Sequence, residues 1–324
     1  MANHLDHLIF HDDDKAREWL EARVWPNGPV CPHCGAVRGL TRMQGLAHRP
    51  GAFQCNQCRE QFTVTVGTVF ERSKVPLHTW LHALYLMNAS KKGMSAHQMH
   101  RMIGVSYKTA WFMLHRIREA MANRSGLPPM GGEGMVVEAD ETYFGKVEEE
   151  AGVTDRNFAG PFKKGGKRGP AGKRAVVALV ERGGSARTFH VDVCTKETVQ
   201  QIIRENVAPE MRLHTDESRL YTNIDQHVAE HETVKHSDGE YVRGDVTTNR
   251  VEGYFSVFKR GMKGVYQHCS EKHLHRYLSE FDFRYSNRAA LGVDDMTRTA
   301  KAAAGIAGKR LMYRGNGGAA RPIA

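Results

Sequence analysis

Apolar residues recur at three- and four-residue spacing in several early stretches of the chain, a pattern that predicts amphipathic helices. Residues 12–25 begin with acidic side chains suited to a helix N-terminus and stop at Pro26-Asn27-Gly28. Residues 77–88 keep the same spacing, and residues 95–121 give two further helices joined at Gly104. Most of this part of the chain is therefore predicted to be helical.

The pattern changes to short apolar runs further along. Residues 135–140 have the composition of a buried strand, and residues 175–193 that of a hairpin turning at Gly183-Gly184. The elements predicted after this hairpin are a helix, a strand and two more helices, over residues 195–207, 211–216, 248–263 and 271–287. Strand, hairpin, helix, strand and helix in this order predict a mixed α/β core.

Between the first two helical stretches lie two cysteine pairs. Cys31-x2-Cys34 and Cys55-x2-Cys58 are separated by 20 residues, a spacing typical of a four-thiolate zinc site. The β-rich segments around the second pair supply the hairpin of a zinc ribbon. The sequence thus predicts one structural Zn²⁺ ion with no open coordination position.

The helix pair in residues 95–121 is a candidate helix-turn-helix. Ser106 can cap the second helix, whose first turn displays Tyr107, Lys108 and Thr109, the end from which a recognition helix contacts DNA. The basic residues that favour this interpretation are Arg101, Lys108, Arg116 and Arg118. An antiparallel helix pair that only packs in a core has the same pattern, so that alternative stays open.

Composition narrows the choice of partner. The 324-residue chain of 36.4 kDa carries a net charge of +10 and a pI near 9.3, which favours a polyanion such as DNA. No apolar stretch approaches the ~20 residues that cross a bilayer, and the N-terminus lacks a signal-peptide pattern. We expect a cytoplasmic, nucleoid-associated protein.

Three carboxylates in the second half of the chain form a candidate site for divalent metal ions. Asp140 ends the first apolar strand and Asp216 ends the later one, and 35 residues separate Asp216 from Glu252. Glu252 lies on a helix whose polar face also carries Lys259 and Lys263. Three such carboxylates can hold two Mg²⁺ or Mn²⁺ ions, which prefer oxygen ligands.

Several acidic and polar neighbours compete for these roles. Asn249 lies on the same side of the helix as Glu252 and could contribute a hydrogen bond or a water-mediated metal contact. Glu138 and Glu141 flank Asp140, and the sequence excludes them only weakly. Any single acidic residue at a strand end is more often a loop cap than a ligand.

Several blocks together carry a family resemblance: WPNGPVCPHCG, the second CxxC, ADETYFG, HTDESRLY and the long TNRVEGYFSVFKRGMKGVYQHCSEKHLHRYLSEFDFRYSNR. The chain resembles DDE transposases of bacterial insertion sequences, of the ISXO2-like type with a zinc ribbon and an RNase H-like catalytic domain. The resemblance implies that Asp140, Asp216 and Glu252 form the metal-binding triad and that Lys259 contacts DNA. Because some similar proteins carry Asn as the third ligand, Asn249 remains a competitor.

The function expected on this basis is transposition. The protein would bind the terminal inverted repeats of its element, hydrolyse a phosphodiester to free a 3′-hydroxyl, and use that hydroxyl to attack target DNA, with a homo-oligomer assembled on the DNA. Two rivals remain: a non-catalytic zinc-ribbon and helix-turn-helix regulator, and an RNase H-like nuclease that cuts without joining.

The domain organisation expected is an N-terminal helix (1–30), a zinc ribbon (31–70), a helix-turn-helix region (77–123), an RNase H-like catalytic domain (134–290) and a basic flexible tail (291–324). Within the catalytic domain, residues 151–173 have too little apolar content to pack and are expected to form an exposed basic loop.

Overall fold

A computed structural model of the chain describes residues 4–122, 126–147 and 172–312. The chain divides into two compact units. The first unit contains the residues up to 125 together with those from 287 onward, and the second contains residues 126–286.

The described helices are α1 (Asp13–Val24), α2 (Leu77–Ala89), α3 (Ala96–Ile103), α4 (Tyr107–Met121), α5 (Lys196–Asn206), α6 (Asn249–Gly261), α7 (Glu271–Ser286) and α8 (Asp295–Ala304). The described strands are β1 (Leu40–Arg42), β2 (Phe53–Cys55), β3 (Gln61–Phe62), β4 (Val136–Phe144), β5 (Arg174–Glu181), β6 (Ala186–Val191), β7 (Arg212–Asp216), β8 (Glu230–Val234), β9 (Val242–Arg243) and β10 (Val246–Thr247). Short single-turn helices connect several of them.

The first unit confirms the helices expected from apolar spacing. Asp12 caps α1, its carboxylate accepting the N–H of Lys15 at 2.9 Å. Ser106 caps α4 by accepting the N–H of Thr109 at 3.2 Å, and Gly104 ends α3 in the left-handed conformation that glycine adopts without strain. Strands β1, β2 and β3 form an antiparallel sheet around the cysteine pairs.

The C-terminal segment corrects one prediction. Residues 291–312 were expected to belong to a flexible tail, but α8 packs against α1, α2 and α4, with Ala302 and Ala303 fully buried. Arg298 of α8 donates to the carbonyl oxygen of Asn88 at 2.8 Å. Small side chains, which look like low complexity in the sequence, allow this close packing. Residues 313–324 lie outside the described residues.

The second unit is built on a five-stranded mixed sheet in the order β6-β5-β4-β7-β8. Strands β4, β5 and β6 pair antiparallel, whereas β4, β7 and β8 pair parallel. This confirms the mixed α/β architecture and the expected RNase H-like sheet.

Side chains of the central strand β4 alternate between two apolar cores. Val137 and Ala139 pack with α5, while Ala178, which pairs with Asp140 in the register, belongs to the core beneath α6 and α7. Asp140 therefore faces α6.

Two features of this unit differ from the sequence-based expectations. It begins at residue 126 rather than 134, because Met130 is buried and its N–H bonds to the Asn206 carbonyl oxygen at 2.7 Å. Strand β8 was not predicted, since its sequence EHETV has little apolar character. The expected basic loop over 151–173 lies, up to residue 171, outside the described residues.

Candidate active site and zinc centre

The four cysteines of the first unit meet in one cluster. Their sulfur atoms all lie within 4.8 Å of one another, with Cys31–Cys58 at 3.6 Å and Cys34–Cys55 at 3.7 Å. A tetrahedral zinc ion with Zn–S bonds of ~2.3 Å requires sulfur separations of roughly 3.8 Å. The cluster fits a single Zn²⁺ ion held by four thiolates, as predicted from their spacing.

Asp140 lies on β4, with Oδ1 accepting the N–H of Glu141 at 2.8 Å. Burial, together with the negative charges of Glu141, Asp216 and Glu252, raises the pKa of its carboxyl group to about 8. The charges of Asp216 and Glu252 act on Asp140, so these three carboxylates lie close enough to influence one another.

Asp140 was expected to end its strand, but β4 continues to Phe144. Asp216 ends β7, the parallel neighbour of β4, and the register that pairs Glu138 with His214 puts Asp216 level with Asp140. Its Oδ1 accepts the N–H of Ser218 at 3.0 Å, which fixes the carboxylate at the strand end. Burial also raises the pKa of Asp216.

Glu141 is a further member of the site that the sequence had weakly excluded. Its carboxylate accepts the hydroxyl of Tyr221 at 3.0 Å and that of Ser218 at 3.3 Å. Burial and the charge of Asp216 raise the pKa of Glu141. The only signal for it in the sequence was its position next to Asp140.

Glu252 lies in the first turn of α6, with its side chain 45% exposed. Its Oε1 accepts the hydroxyl of Thr248 at 2.8 Å. The apolar stripe expected on this helix is buried, with Val251 and Phe258 fully enclosed. Burial of that stripe directs Glu252 toward the border of the sheet, on the side from which Asp140 emerges.

Glu138 holds the start of α6 and is not available as a ligand. This fully buried carboxylate accepts the N–H groups of Arg250 at 2.7 Å and Val251 at 3.2 Å, and pairs with Arg182 at 2.9 Å. A carboxylate at a helix N-terminus satisfies amides that have no partner within the helix. Glu138 thereby fastens the helix of Glu252 to the strand of Asp140.

Arg182 extends this fastening to β7. Its guanidinium contacts Nδ1 of the fully buried His214 at 3.1 Å and donates to the carbonyl oxygen of Thr247 at 3.2 Å. His214 therefore packs within the strand layer. One arginine thus links β4, β7 and β10, the short strand that precedes α6.

Lys259 lies two turns after Glu252, on the same side of α6. Burial lowers the pKa of its amine, and the charge of Asp140 opposes this shift, which shows that the two side chains interact. Lys263 is exposed near it. Asn249, the competing third ligand, is exposed at the first position of α6, with its N–H bonded to the Thr247 hydroxyl at 3.1 Å.

The carboxylates are not drawn into a tight cluster. Within the part of the chain that the structure describes, oxygens of Asp140, Asp216 and Glu252 do not all lie within 4.8 Å of one another. Repulsion among like charges favours such separation, and oxygen ligands of this kind suit Mg²⁺ or Mn²⁺. The donor set fits hard divalent cations.

The candidate DNA-contacting residues of α4 differ in their availability. Tyr107 is 43% exposed and its ring stacks on His97 at 4.3 Å between centroids, and Lys108 is exposed. Thr109 is half-buried and its hydroxyl lies 2.9 Å from that of Ser106, so it serves the helix cap. Tyr107 and Lys108 are the accessible groups.

Two basic residues cited for this helix face inward. Arg116 and Arg118 are buried, and Arg116 donates to the carbonyl oxygens of Glu71 at 3.1 Å and Leu311 at 3.3 Å. They stabilise the first unit and are not accessible to DNA, so using them as evidence for a DNA-binding surface was wrong. The stripe of α4 that carries them is the packed one.

Comparisons with known proteins agree with this geometry. Residues 131–286 match the family described as the ISXO2-like transposase domain, and residues 11–61 match the transposase zinc-ribbon domain. The chain is 29% identical over 283 residues to a Halobacterium salinarum protein described as an uncharacterized protein in transposable element ISH50, covering 85% of this chain and 91% of that protein. No described helix is long and apolar enough to cross a membrane.

Proposed function

Since the chain belongs to the ISXO2-like transposases, we propose that Asp140, Asp216 and Glu252 bind two Mg²⁺ or Mn²⁺ ions, and that the second unit cuts and rejoins DNA there. The observation that carries this proposal is the convergence of carboxylates on Asp140, whose pKa rises to about 8. A carboxyl group whose pKa is raised this far by burial and by neighbouring carboxylates is typical of a functional site.

The reaction proceeds in two displacements at phosphorus. Water first attacks a phosphodiester at the element end, its proton passes to solvent, and the 3′-hydroxyl is the leaving group. That hydroxyl then attacks a target phosphodiester and displaces a second 3′-oxygen, so one bond forms for each that breaks. When bound, the ions activate the attacking oxygen and stabilise the leaving one.

The protein's own residues orient both partners. Asp140 and Asp216 are held by backbone N–H groups, whereas Glu252 is brought to them by α6. Lys259, on the same helix, is placed to contact a phosphate of the bound DNA. Glu141 adds charge next to Asp216 and is fixed by Tyr221.

DNA recognition falls to the first unit. Tyr107 and Lys108 project from the N-terminus of α4, the end through which a recognition helix enters the major groove. The net charge of +10 supports binding to a polyanion. We infer that this unit binds the inverted repeats of the element, and that a homo-oligomer joins two ends on DNA.

The test is strand nicking of DNA that carries the element ends, in the presence of Mn²⁺. Wild-type protein should nick at the ends, Asp216→Ala should not, and the exposed Asp238→Ala should act as wild type. Binding without any nicking by the wild-type protein would support a regulator and overturn the proposal.

Joining requires a second measurement. Pre-cleaved ends incubated with a supercoiled plasmid should give joined products with the wild-type protein and none with Asp216→Ala. If the wild-type protein nicks but never joins, the protein is a nuclease, and the transposition step of the proposal is wrong.

A further inference from the structure

A single-turn helix between β8 and β9, residues His236–Asp238, is tied directly to the end of β7. Glu217, the residue after Asp216, accepts the N–H of His236 at 2.8 Å and that of Ser237 at 2.9 Å. The turn is therefore fixed beside Asp216.

The side chain of His236 reaches from this turn to α6. Its Nε2 lies 3.3 Å from the hydroxyl of Thr248 and 3.5 Å from Oε1 of Glu252. The ring of Tyr241 packs on the imidazole with centroids 5.1 Å apart. His236 thus spans the space between the strand end of Asp216 and the helix of Glu252.

The hydrogen bonds form a directed chain. Thr248 donates its one hydroxyl proton to Oε1 of Glu252 at 2.8 Å, so toward His236 its oxygen can only accept. The proton on Nε2 is then the donor to that oxygen. Because Thr248 is 1% exposed, little water is available to replace the imidazole.

Glu252 needs such support more than the other carboxylates. Asp140 and Asp216 accept backbone N–H groups beside them, whereas Glu252 has a longer, 45% exposed side chain held by Thr248. Without restraint, this side chain would move away from its neighbours because their charges repel it.

We propose that His236 is a positioning residue for Glu252, held in place by Glu217, and that this bridge sets the separation of Asp216 and Glu252 at which divalent ions bind. The inference rests on the proposed function. Groups that orient metal ligands typically change metal affinity by ~10- to 100-fold.

The test uses the full zinc-loaded chain and Mn²⁺ alone, with binding measured by calorimetry in the absence of DNA. His236→Ala should weaken Mn²⁺ binding about 10-fold. His236→Gln, which places an N–H donor near the Nε2 position, should restore most of the affinity, and Asp238→Ala in the same turn should bind as wild type. Metal-free thermal unfolding should change little in all three variants.

Nicking supplies a second readout. His236→Ala should need about 10-fold more Mn²⁺ for half-maximal rate while approaching the wild-type rate at saturating Mn²⁺. Unchanged Mn²⁺ affinity in His236→Ala overturns the inference. So does a loss of affinity that His236→Gln fails to restore and that accompanies a large drop in metal-free stability.

Asp216→Ala separates a failure of the positioning role of His236 from a failure of the proposed carboxylate metal site. If this variant loses Mn²⁺ binding at the carboxylates while His236→Ala retains it, only the positioning role is wrong. If Asp216→Ala binds Mn²⁺ as the wild-type protein does, the carboxylate site and the proposed function both fail.

Discussion

Replacement of Glu138 by alanine should destabilise the second unit more than any exposed acidic substitution. The change removes the acceptor of the Arg250 and Val251 N–H groups and the partner of Arg182. Two amides at the buried start of α6 then lose their acceptor, and a guanidinium only 24% exposed loses its counter-charge.

The magnitude follows from these contacts. Breaking a buried ion pair by removing one partner costs roughly 3–5 kcal/mol, and an unsatisfied buried amide about 1–3 kcal/mol. The contributions overlap, because the same carboxylate makes all three contacts. Arg182 also keeps its contacts with His214 and Thr247. We expect a loss of about 4 kcal/mol for Glu138→Ala, and about half of that for Glu138→Gln.

The assay is urea unfolding followed by far-ultraviolet circular dichroism. The four tryptophans, Trp19, Trp25, Trp80 and Trp111, all belong to the first unit, so tryptophan fluorescence reports that unit separately. We expect the dichroism transition of the second unit to move to lower urea.

The matched control for this prediction is Glu230→Ala. Glu230 is 53% exposed and pairs with Arg212 at 2.9 Å, an arrangement worth at most about 1 kcal/mol. If Glu138→Ala lowers the free energy of unfolding no more than Glu230→Ala does, the contacts of Glu138 do not hold α6 in place. The assignment of Glu138 to a structural role would then be wrong.

Four further outcomes are expected. Cys34→Ser should reduce zinc content and unfold the zinc ribbon, measured by metal analysis and tryptophan fluorescence; full zinc retention would contradict the four-thiolate site. Lys108→Ala should weaken binding to all DNA sequences alike and reduce the salt dependence of binding, and an unchanged salt slope would exclude a phosphate contact. Asp282→Asn should gain stability relative to wild type as pH rises from about 4 to 7, by up to about 4 kcal/mol. Burial raises the wild-type pKa from 3.8 to about 7, so over this range the folded wild type keeps the Asp282 proton whereas the unfolded chain releases it, and wild-type stability falls; a pH-independent difference would refute this. Gly305→Ala should destabilise the first unit by roughly 1–3 kcal/mol, since its Cβ would lie 2.5 Å from the Ala120 carbonyl oxygen, and unchanged thermal unfolding would contradict the packing of the C-terminal segment.

The spacing of apolar residues correctly predicted the elements that bury one regularly repeating apolar face. Helix α6 shows this well, because Val251, Phe255 and Phe258 repeat at helical spacing and are all buried. The same rule failed for β8, whose sequence EHETV lies at the sheet edge and carries charged side chains. It also failed for α8, where Ala302 and Ala303 are fully buried although the Ala/Gly-rich composition suggested a flexible tail.

The sequence by itself determined the chemistry that the chain can offer: four thiolates at zinc-ribbon spacing, carboxylates on two strands, and a helix carrying a third with a lysine on the same face. Residue type and local spacing are sufficient for these conclusions, because ligand preference and helix or strand periodicity depend on near neighbours. The family resemblance carried by the long C-terminal block supplied the RNase H-like fold, which local patterns do not contain.

Only the tertiary structure decided which acidic residue does what. Glu138, Asp140 and Glu141 lie within four consecutive positions of one strand, yet Glu138 fastens α6, Asp140 faces α6 and interacts with Glu252, and Glu141 bonds to Tyr221. The role of each carboxylate depends on partners that are distant in sequence. Alternation along a strand predicts which face a side chain lies on, but it does not identify those partners. Glu217 and His236 became visible for the same reason, since their contacts cross from one element to another.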